Sequence, residues 1–251
     1  MSLGAQSFVA SELRATGRKH SASTVANDID LLAGLGITNI NIDLIAGLPG
    51  QTEASWRTSL DWIERLAPPH VSVYMLEVDE DSRLGLEILG QGSRYGARDV
   101  PSDDAQANMY EEAVERLASL GIHRYEISNF ARRGAESRHN LKYWRLEPYV
   151  GFGADAHSFD LGLRWQNVET ANEYAVAETP RAETTAAHPN ERFYVGLRLV
   201  AGVTPTGEEW SRHALTIEKF EQAGLLEHTG SQLRLTPRGV LLSNEVFAAF
   251  V

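Results

Sequence analysis

The 251-residue chain contains no cysteine. Disulfides are therefore excluded, as are cysteine-ligated zinc and the usual cysteine-held iron–sulfur clusters within this chain. No apolar run approaches the about 20 residues that a membrane-spanning helix needs, and no basic-then-apolar signal segment opens the chain. These absences predict a cytoplasmic protein with no integral membrane segment. An excess of positive charge is also missing, since the net charge is −11. Residues 1–100 carry 8 Lys+Arg against 13 Asp+Glu, and residues 185–251 carry 6 against 7. Phosphate-backbone binding rests on clustered cations, so no nucleic-acid partner is expected. Internal repeats and low-complexity tracts are absent as well.

What is present suits a globular chain: 43% of residues are apolar and 23% charged, with length for one large domain or two modest ones. The first hundred residues alternate strand and helix patterns. Residues 2–8 open as a short strand. Val25, Ile29 and Leu32 give a helix over 23–35, capped by Ser21 or Ser23 and ended by Gly34 and Gly36. Residues 39–45 alternate strictly, with Ile40, Ile42 and Leu44 on one face and Asn39, Asn41 and Asp43 on the other. Trp56, Leu60 and Ile63 form the buried stripe of the next helix. A strand over 70–78 follows Pro68-Pro69, then loop over 81–100, a helix over 102–120, and one further strand in 121–131. Strands and helices at this spacing imply right-handed crossovers and a parallel sheet. The polar strand face points to a barrel or half-barrel whose interior is a site, because a packed barrel core is lined by Val, Ile and Leu.

The predicted fold class is thus α/β. A partial (β/α) barrel over 1–131 is expected, then a connector over 132–180 and a small winged-helix-like α+β domain over 181–251. The stretch 176–189 is polar and rich in Ala, Glu and Thr. The last part reads as helices near 191–199 and 215–223, a hairpin pairing 225–227 with 233–235, and one terminal helix.

Two constellations could carry chemistry. In Asp43-Leu-Ile-Ala-Gly-Leu-Pro-Gly-Gln-Thr52 the polar strand ends in a Gly-containing turn that feeds a helix N-terminus, a place that favours carboxylate or phosphate. An ordinary βα turn has the same pattern, and no Gly-Lys-Ser/Thr follows to make it a nucleotide loop. The second runs over residues 132–145, where five cations and one Glu accompany His139, Tyr143 and Trp144. A porphyrin needs an axial ligand, apolar or aromatic faces and cations for its propionates, and these residue types are all here. A surface cluster without function has the same composition.

Ser2-Leu-Gly-Ala-Gln-Ser-Phe8, Gly17-Arg-Lys-His20 and Asn41-Ile-Asp-Leu-Ile-Ala-Gly-Leu-Pro-Gly-Gln-Thr52 occur in order. They are followed by Tyr125-Glu-Ile-Ser-Asn-Phe-Ala131, Ser137-Arg-His-Asn140 with Tyr143-Trp144, and Gly151-Phe-Gly-Ala-Asp-Ala-His-Ser158. Asn244-Glu-Val-Phe247 completes the series, and together these motifs cover almost the whole chain. In this order the chain resembles the radical S-adenosylmethionine family of haem chaperones and oxygen-independent coproporphyrinogen oxidases, from about its fourth barrel strand onward. The resemblance implies that Gln6, Arg18, Asp43 and the backbone near Leu76–Glu77 contact S-adenosylmethionine. Arg18 would grip the methionine carboxylate and Asp43 the adenosine. His139-Asn140-x-x-Tyr143-Trp144 marks the haem-chaperone branch. His139 is then a candidate haem-iron ligand, with Asn140, Tyr143 and Trp144 as its setting and His157 as a second candidate.

The family's 4Fe–4S cluster is held by a Cys-x-x-x-Cys-x-x-Cys loop after the first barrel strand. That segment is not in this sequence, so the chain by itself is expected to bind rather than to catalyse. Haem or porphyrin and haem-acceptor proteins are the implied partners. The runner-up reading is a coproporphyrinogen oxidase fragment. A winged-helix nucleic-acid binder is the third, disfavoured by the acidic balance.

Overall fold

A computed structural model describes all 251 residues. The chain divides into two compact units, Met1–Glu136 and Ser137–Val251. The first unit runs β1 (Ser2–Gln6), α1 (Ala10–Ala15), α2 (Ala22–Gly34), β2 (Asn41–Ala46), α3 (Glu53–Leu66) and β3 (His70–Met75). It continues with α4 (Arg83–Leu89), a 3-10 turn (Arg94–Asp99), α5 (Asp103–Ser119), β4 (His123–Arg124) and β5 (Asn129–Ala131). These strands form one sheet of order β1-β2-β3-β5-β4. β1, β2 and β3 are mutually parallel, with Asn41 opposite His70 and Asp43 opposite Ser72, whereas β5 runs antiparallel to both β3 and β4.

The alternation in β2 has the predicted consequence. Ile42, Leu44 and Ala46 are buried, and Asn41, Asp43 and Ile45 are half-buried on the other face. Trp56, Leu60 and Ile63 of α3 and Met109, Ala113 and Leu117 of α5 supply the buried layer of the helices. Ser21 and Thr52 close α2 and α3 with capping boxes, which fixes where each helix starts. The Trp56 indole N–H donates to the Met109 carbonyl at 2.7 Å, tying α3 to α5.

Three expectations for this unit need correction. Residues 81–100 are not loop: they hold α4, capped by Ser82, and the 3-10 turn. Residues 121–131 make two short antiparallel strands rather than one continuing the parallel order. The opening strand also stops at Gln6, whose φ of 58° takes the chain out of extended geometry.

The second unit contains α6 (Arg138–Trp144), β6 (His157–Asp160), β7 (Leu163–Asn167), α7 (Ala171–Val176), β8 (Arg181–Ala186) and α8 (Glu191–Gly196). It ends with α9 (Gly207–Gln222), β9 (Leu226–Thr229), β10 (Gln232–Leu235), α10 (Pro237–Leu241) and α11 (Ser243–Ala248). β6, β7 and β8 pair antiparallel in that order. Within the polar stretch 176–189, Arg181–Ala186 form β8. Helix α9 leads into the β9–β10 hairpin, the wing, and α9 starts well before residue 215, at a capping box on Thr206. The terminal helix is two helices that meet at Leu242. Phe193, Phe250 and His213 pack as an aromatic core, with the two Phe rings stacked at 5.0 Å. No helix is long and apolar enough to cross a membrane.

Candidate functional site

The polar face of the parallel sheet is a connected hydrogen-bond network. Asn41 Nδ2 donates to Asp43 Oδ1 at 2.7 Å and lies 2.9 Å from Ser2 Oγ and 3.0 Å from Ser72 Oγ. Ser2 Oγ donates to Asp43 Oδ2 at 2.8 Å. Asn41 Oδ1 faces His70 Nδ1 at 2.7 Å, and His70 Nε2 meets the Tyr125 hydroxyl at 2.9 Å. Ser72 Oγ donates to Asn129 Oδ1 at 2.8 Å, and Asn129 Nδ2 donates to Glu126. Asp43 is thus where the sequence placed it, on the interior face. Its neighbours His70, Ser72, Tyr125, Asn129 and Glu126 were missed as site residues. The signal was available, because His70 and Ser72 alternate in β3 as Asn41 and Asp43 do in β2.

Burial pushes the His70 imidazole down to about 4, with Asp43 and Glu136 pulling more weakly the other way. Its ordinary value in an unfolded chain is about 6.5. A neutral buried histidine stabilises fully above the unfolded value, and that contribution is lost as pH falls from about 6.5 toward 4. The expected loss is up to about 3 kcal/mol. Chemical denaturation of the parent and of His70→Asn across this window should show the parent's stability falling more steeply, whereas parallel slopes would contradict the assignment.

At the C-terminal ends of the strands, Gln6 folds back over Gly4. A Cβ on residue 4 would lie 2.5 Å from Gln6 Nε2 and would push the flexible end of that side chain aside. Gln6 Oε1 is buried and has no hydrogen-bond partner. A buried acceptor without a donor is costly and rare, and it marks a place where a ligand donor fits. The Gly47–Thr52 turn does something different from the anion cradle that the sequence allowed. Gln51 Oε1 accepts from the Gly47 and Leu48 amides at 2.6 and 3.3 Å, and Gln51 Nε2 donates to the buried Glu12 at 3.1 Å. Gly47, at φ 98°, leaves room for the Gln106 side chain rather than for a ligand. The turn's donors are thus used internally.

Arg18 is exposed and follows α1, its amide bonded to the Leu13 carbonyl at 2.8 Å. Glu77 is exposed just beyond β3, and the Leu76 amide bonds to the Ala46 carbonyl at 2.8 Å. Neither side chain makes a hydrogen bond or ion pair. A cavity of about 640 Å³ opens beside them, with Gly17, Leu48, Pro49 and Leu76 in its wall and Arg14 and Arg83 as its cations.

In the second unit, α6 carries the other constellation. Ser137 caps it by accepting from the Asn140 amide at 3.3 Å. His139 and Tyr143 share a face at i and i+4, with Nε2 and the phenol 3.1 Å apart and the rings edge-on at 4.9 Å. Burial, with Tyr149 nearby, pushes the Tyr143 phenol above its ordinary value. His139 is exposed and its Nδ1 has no partner. Tyr143 packs edge-on against Tyr149 at 4.5 Å, and Tyr149 accepts from Arg164, which pairs with the buried Glu191. The Arg198 guanidinium lies 4.4 Å over the Trp144 ring, whose Nε1 is buried without an acceptor. The half-buried Asn140 makes no side-chain hydrogen bond. Of the five cations, Arg138, Lys142 and Arg145 stand on or beside α6, whereas Arg132 and Arg133 end the first unit. His157 opens β6 at the surface, away from any metal-type cluster. The loop between Tyr149 and β6 exposes Phe152, which is 85% accessible.

The fold as a whole matches coproporphyrinogen III oxidase (HemN) from Escherichia coli, described as a radical SAM enzyme. The TM-score is 0.77 at 18% identity, over 99% of this chain and 63% of that one. Residues 184–242 match the HemN C-terminal domain. Two relatives are similar over the entire chain: the heme chaperone HemW of Bacillus subtilis, 35% identical and 69% covered, and that of Lactococcus lactis, 32% identical and 68% covered. A mitochondrial radical S-adenosyl methionine domain-containing protein 1 from Danio rerio is 35% identical over 62% of this chain and 34% of its own length. The architecture therefore defines a HemN-like radical S-adenosylmethionine fold. Within that class, the chain belongs to the HemW family, about two-thirds of whose length it spans.

The chain's own residues do not fit a cysteine-ligated cluster, because there is no cysteine and no group of three metal-type side chains. They do fit S-adenosylmethionine in part, through the orphaned Gln6 Oε1 and the Asp43 carboxylate.

Proposed function

We propose that this chain binds haem on α6 and passes it to haem-acceptor proteins of the cytoplasm or of membranes, respiratory enzymes among them. His139 ligates the iron, and Tyr143, Trp144 and Asn140 form its setting. The observation that carries this reading is the exposed His139 imidazole, with Nδ1 free of protein partners, beside the edge-on Tyr143 and Tyr149 rings. An imidazole is a haem ligand, and aromatic edges suit a porphyrin face. Arg138, Lys142 and Arg145 supply positive charge for propionates.

In the first unit, Gln6, Arg18, Asp43 and the Leu76–Glu77 backbone hold S-adenosylmethionine. Bound with a cluster, that molecule supplies radical chemistry. The residues here contribute a carboxylate for its hydroxyls, an amide acceptor at Gln6 and a guanidinium at Arg18. The name heme chaperone HemW belongs to relatives about one-third identical, which supports the haem reading over the oxidase one.

Titration with haemin and with iron-free coproporphyrin tests the proposal. Haemin should bind saturably with a shifted Soret band, and coproporphyrin at least roughly tenfold more weakly, since an axial bond is worth more than carboxylate contacts at the surface. Equal binding of the two would replace haem carriage with recognition of porphyrin carboxylates.

A further inference from the structure

The interior network has a direction that follows from its end points. Asp43 is a carboxylate and can only accept, so the Asn41 group 2.7 Å from it is the amide nitrogen. Asn41 Oδ1 therefore faces His70 Nδ1 at 2.7 Å, and an oxygen there requires a proton on Nδ1. His70 is neutral in its buried site, so Nε2 carries no proton and accepts from the Tyr125 hydroxyl at 2.9 Å. Every link thus donates toward Asp43: Tyr125 to His70, His70 to Asn41, Asn41 to the carboxylate. A branch from the same Asn41 amide donates the other way, through Ser72 and Asn129 to the Glu126 carboxylate. Three strands contribute, β2, β3 and β5 with the residues just before it, so the chain of bonds spans the sheet. Filling a sheet interior would not require this polarity, and apolar residues would fill it at lower cost.

We propose that Tyr125, His70 and Asn41 form a one-way hydrogen-bond relay that aims and holds the Asp43 carboxylate, making His70 a positioning residue for the ligand site on β2. The proposal rests on the reading of Asp43 as a ligand contact. Asn41 is held at both ends, its amide by the Asp43 carboxylate and its oxygen by His70. Without the His70 donor the carboxamide is fixed at the Asp43 end alone, and its hold on the carboxylate loosens. Phenylalanine at position 70 removes the donor and keeps the ring. Asparagine places an amide N–H near where Nδ1–H stood and restores it.

Long-range nitrogen–proton correlation on histidine-labelled chain reads the relay without any ligand. His70 should be the Nδ1-protonated tautomer, the minor form of free histidine in water, and the Nε2-protonated tautomer would overturn the proposal. Calorimetric titration with S-adenosylhomocysteine reads its consequence. His70→Phe should weaken binding about tenfold, the worth of one hydrogen bond to a charged group, and His70→Asn should stay within about threefold of the parent. Equal losses in the two variants would mean that His70 only fills space, which overturns the relay. If the parent itself fails to bind, the ligand reading of Asp43 falls, and exchange of the Asn41 side-chain amide then decides the relay. It should be slow in the parent and in His70→Asn and fast in His70→Phe, and equal rates would overturn it.

Discussion

His139→Ala is expected to abolish the haemin-induced Soret shift and to weaken haemin binding by at least about thirtyfold. That factor corresponds to roughly 2 kcal/mol, the size of one specific anchoring interaction in a small-ligand site. The residue is exposed on a two-turn helix, its ring edge-on to Tyr143, so the substitution removes little packing. Exposed substitutions of this kind change stability by about 0.5 kcal/mol or less. Circular dichroism and the unfolding midpoint should therefore match the parent while the haemin isotherm collapses. His157→Ala, at the exposed start of β6, should titrate like the parent. A loss confined to His157→Ala would move the iron ligand to the other candidate.

Trp56→Ala is expected to destabilise the first unit by about 4 kcal/mol, the range for truncating a fully buried aromatic. Trp56 is 0% exposed, and its indole carries the one side-chain bond from α3 to the α5 backbone, at Met109. Alanine leaves a cavity under both helices and removes the indole bond to the Met109 carbonyl. In a unit of this size the thermal midpoint should drop on the order of 10 °C. Because the second unit has its own core around Phe193 and Phe250, only one of two resolved transitions should move. A shift below about 1 kcal/mol would show that the α3–α5 layer can repack.

The elements that were legible share one property: a single buried face with a clear period. β2 announces itself by strict alternation and α5 by its capped, amphipathic span. The segments that were not legible lack such a face. In β8 all six residues are exposed, so no alternation can appear, and the strand exists by pairing with β7 and by Arg181 lying 4.2 Å over the Trp165 ring. Helix α4 buries only Gly85, which leaves no apolar stripe to read between 81 and 100. The split at Leu242 follows from a local turn, φ −112° and ψ 27°, that no propensity signals.

The candidate sites divide in the same way. The place of Asp43 on the polar face of its strand was readable from the alternation of β2, whereas Gln6 was singled out only by the family resemblance. The relay behind Asp43 was not readable, because it joins residues up to 57 positions apart across the sheet. A histidine at the start of a strand, followed by a serine two residues on, reads as an ordinary half-polar strand until β2 is laid beside it. The Gly47–Thr52 turn shows the converse, since a ligand-like loop motif proves to satisfy its own amides through Gln51.

The most direct test of haem carriage through α6 is chemical rescue of His139→Ala by free imidazole, followed at the Soret band. Millimolar imidazole should restore the parent's band position and most of its haemin affinity, because it returns the iron ligand while the neighbouring Tyr143, Trp144 and Tyr149 are unchanged. A parent-like Soret band in His139→Ala without imidazole, or a folded variant that imidazole leaves unrescued, would contradict it.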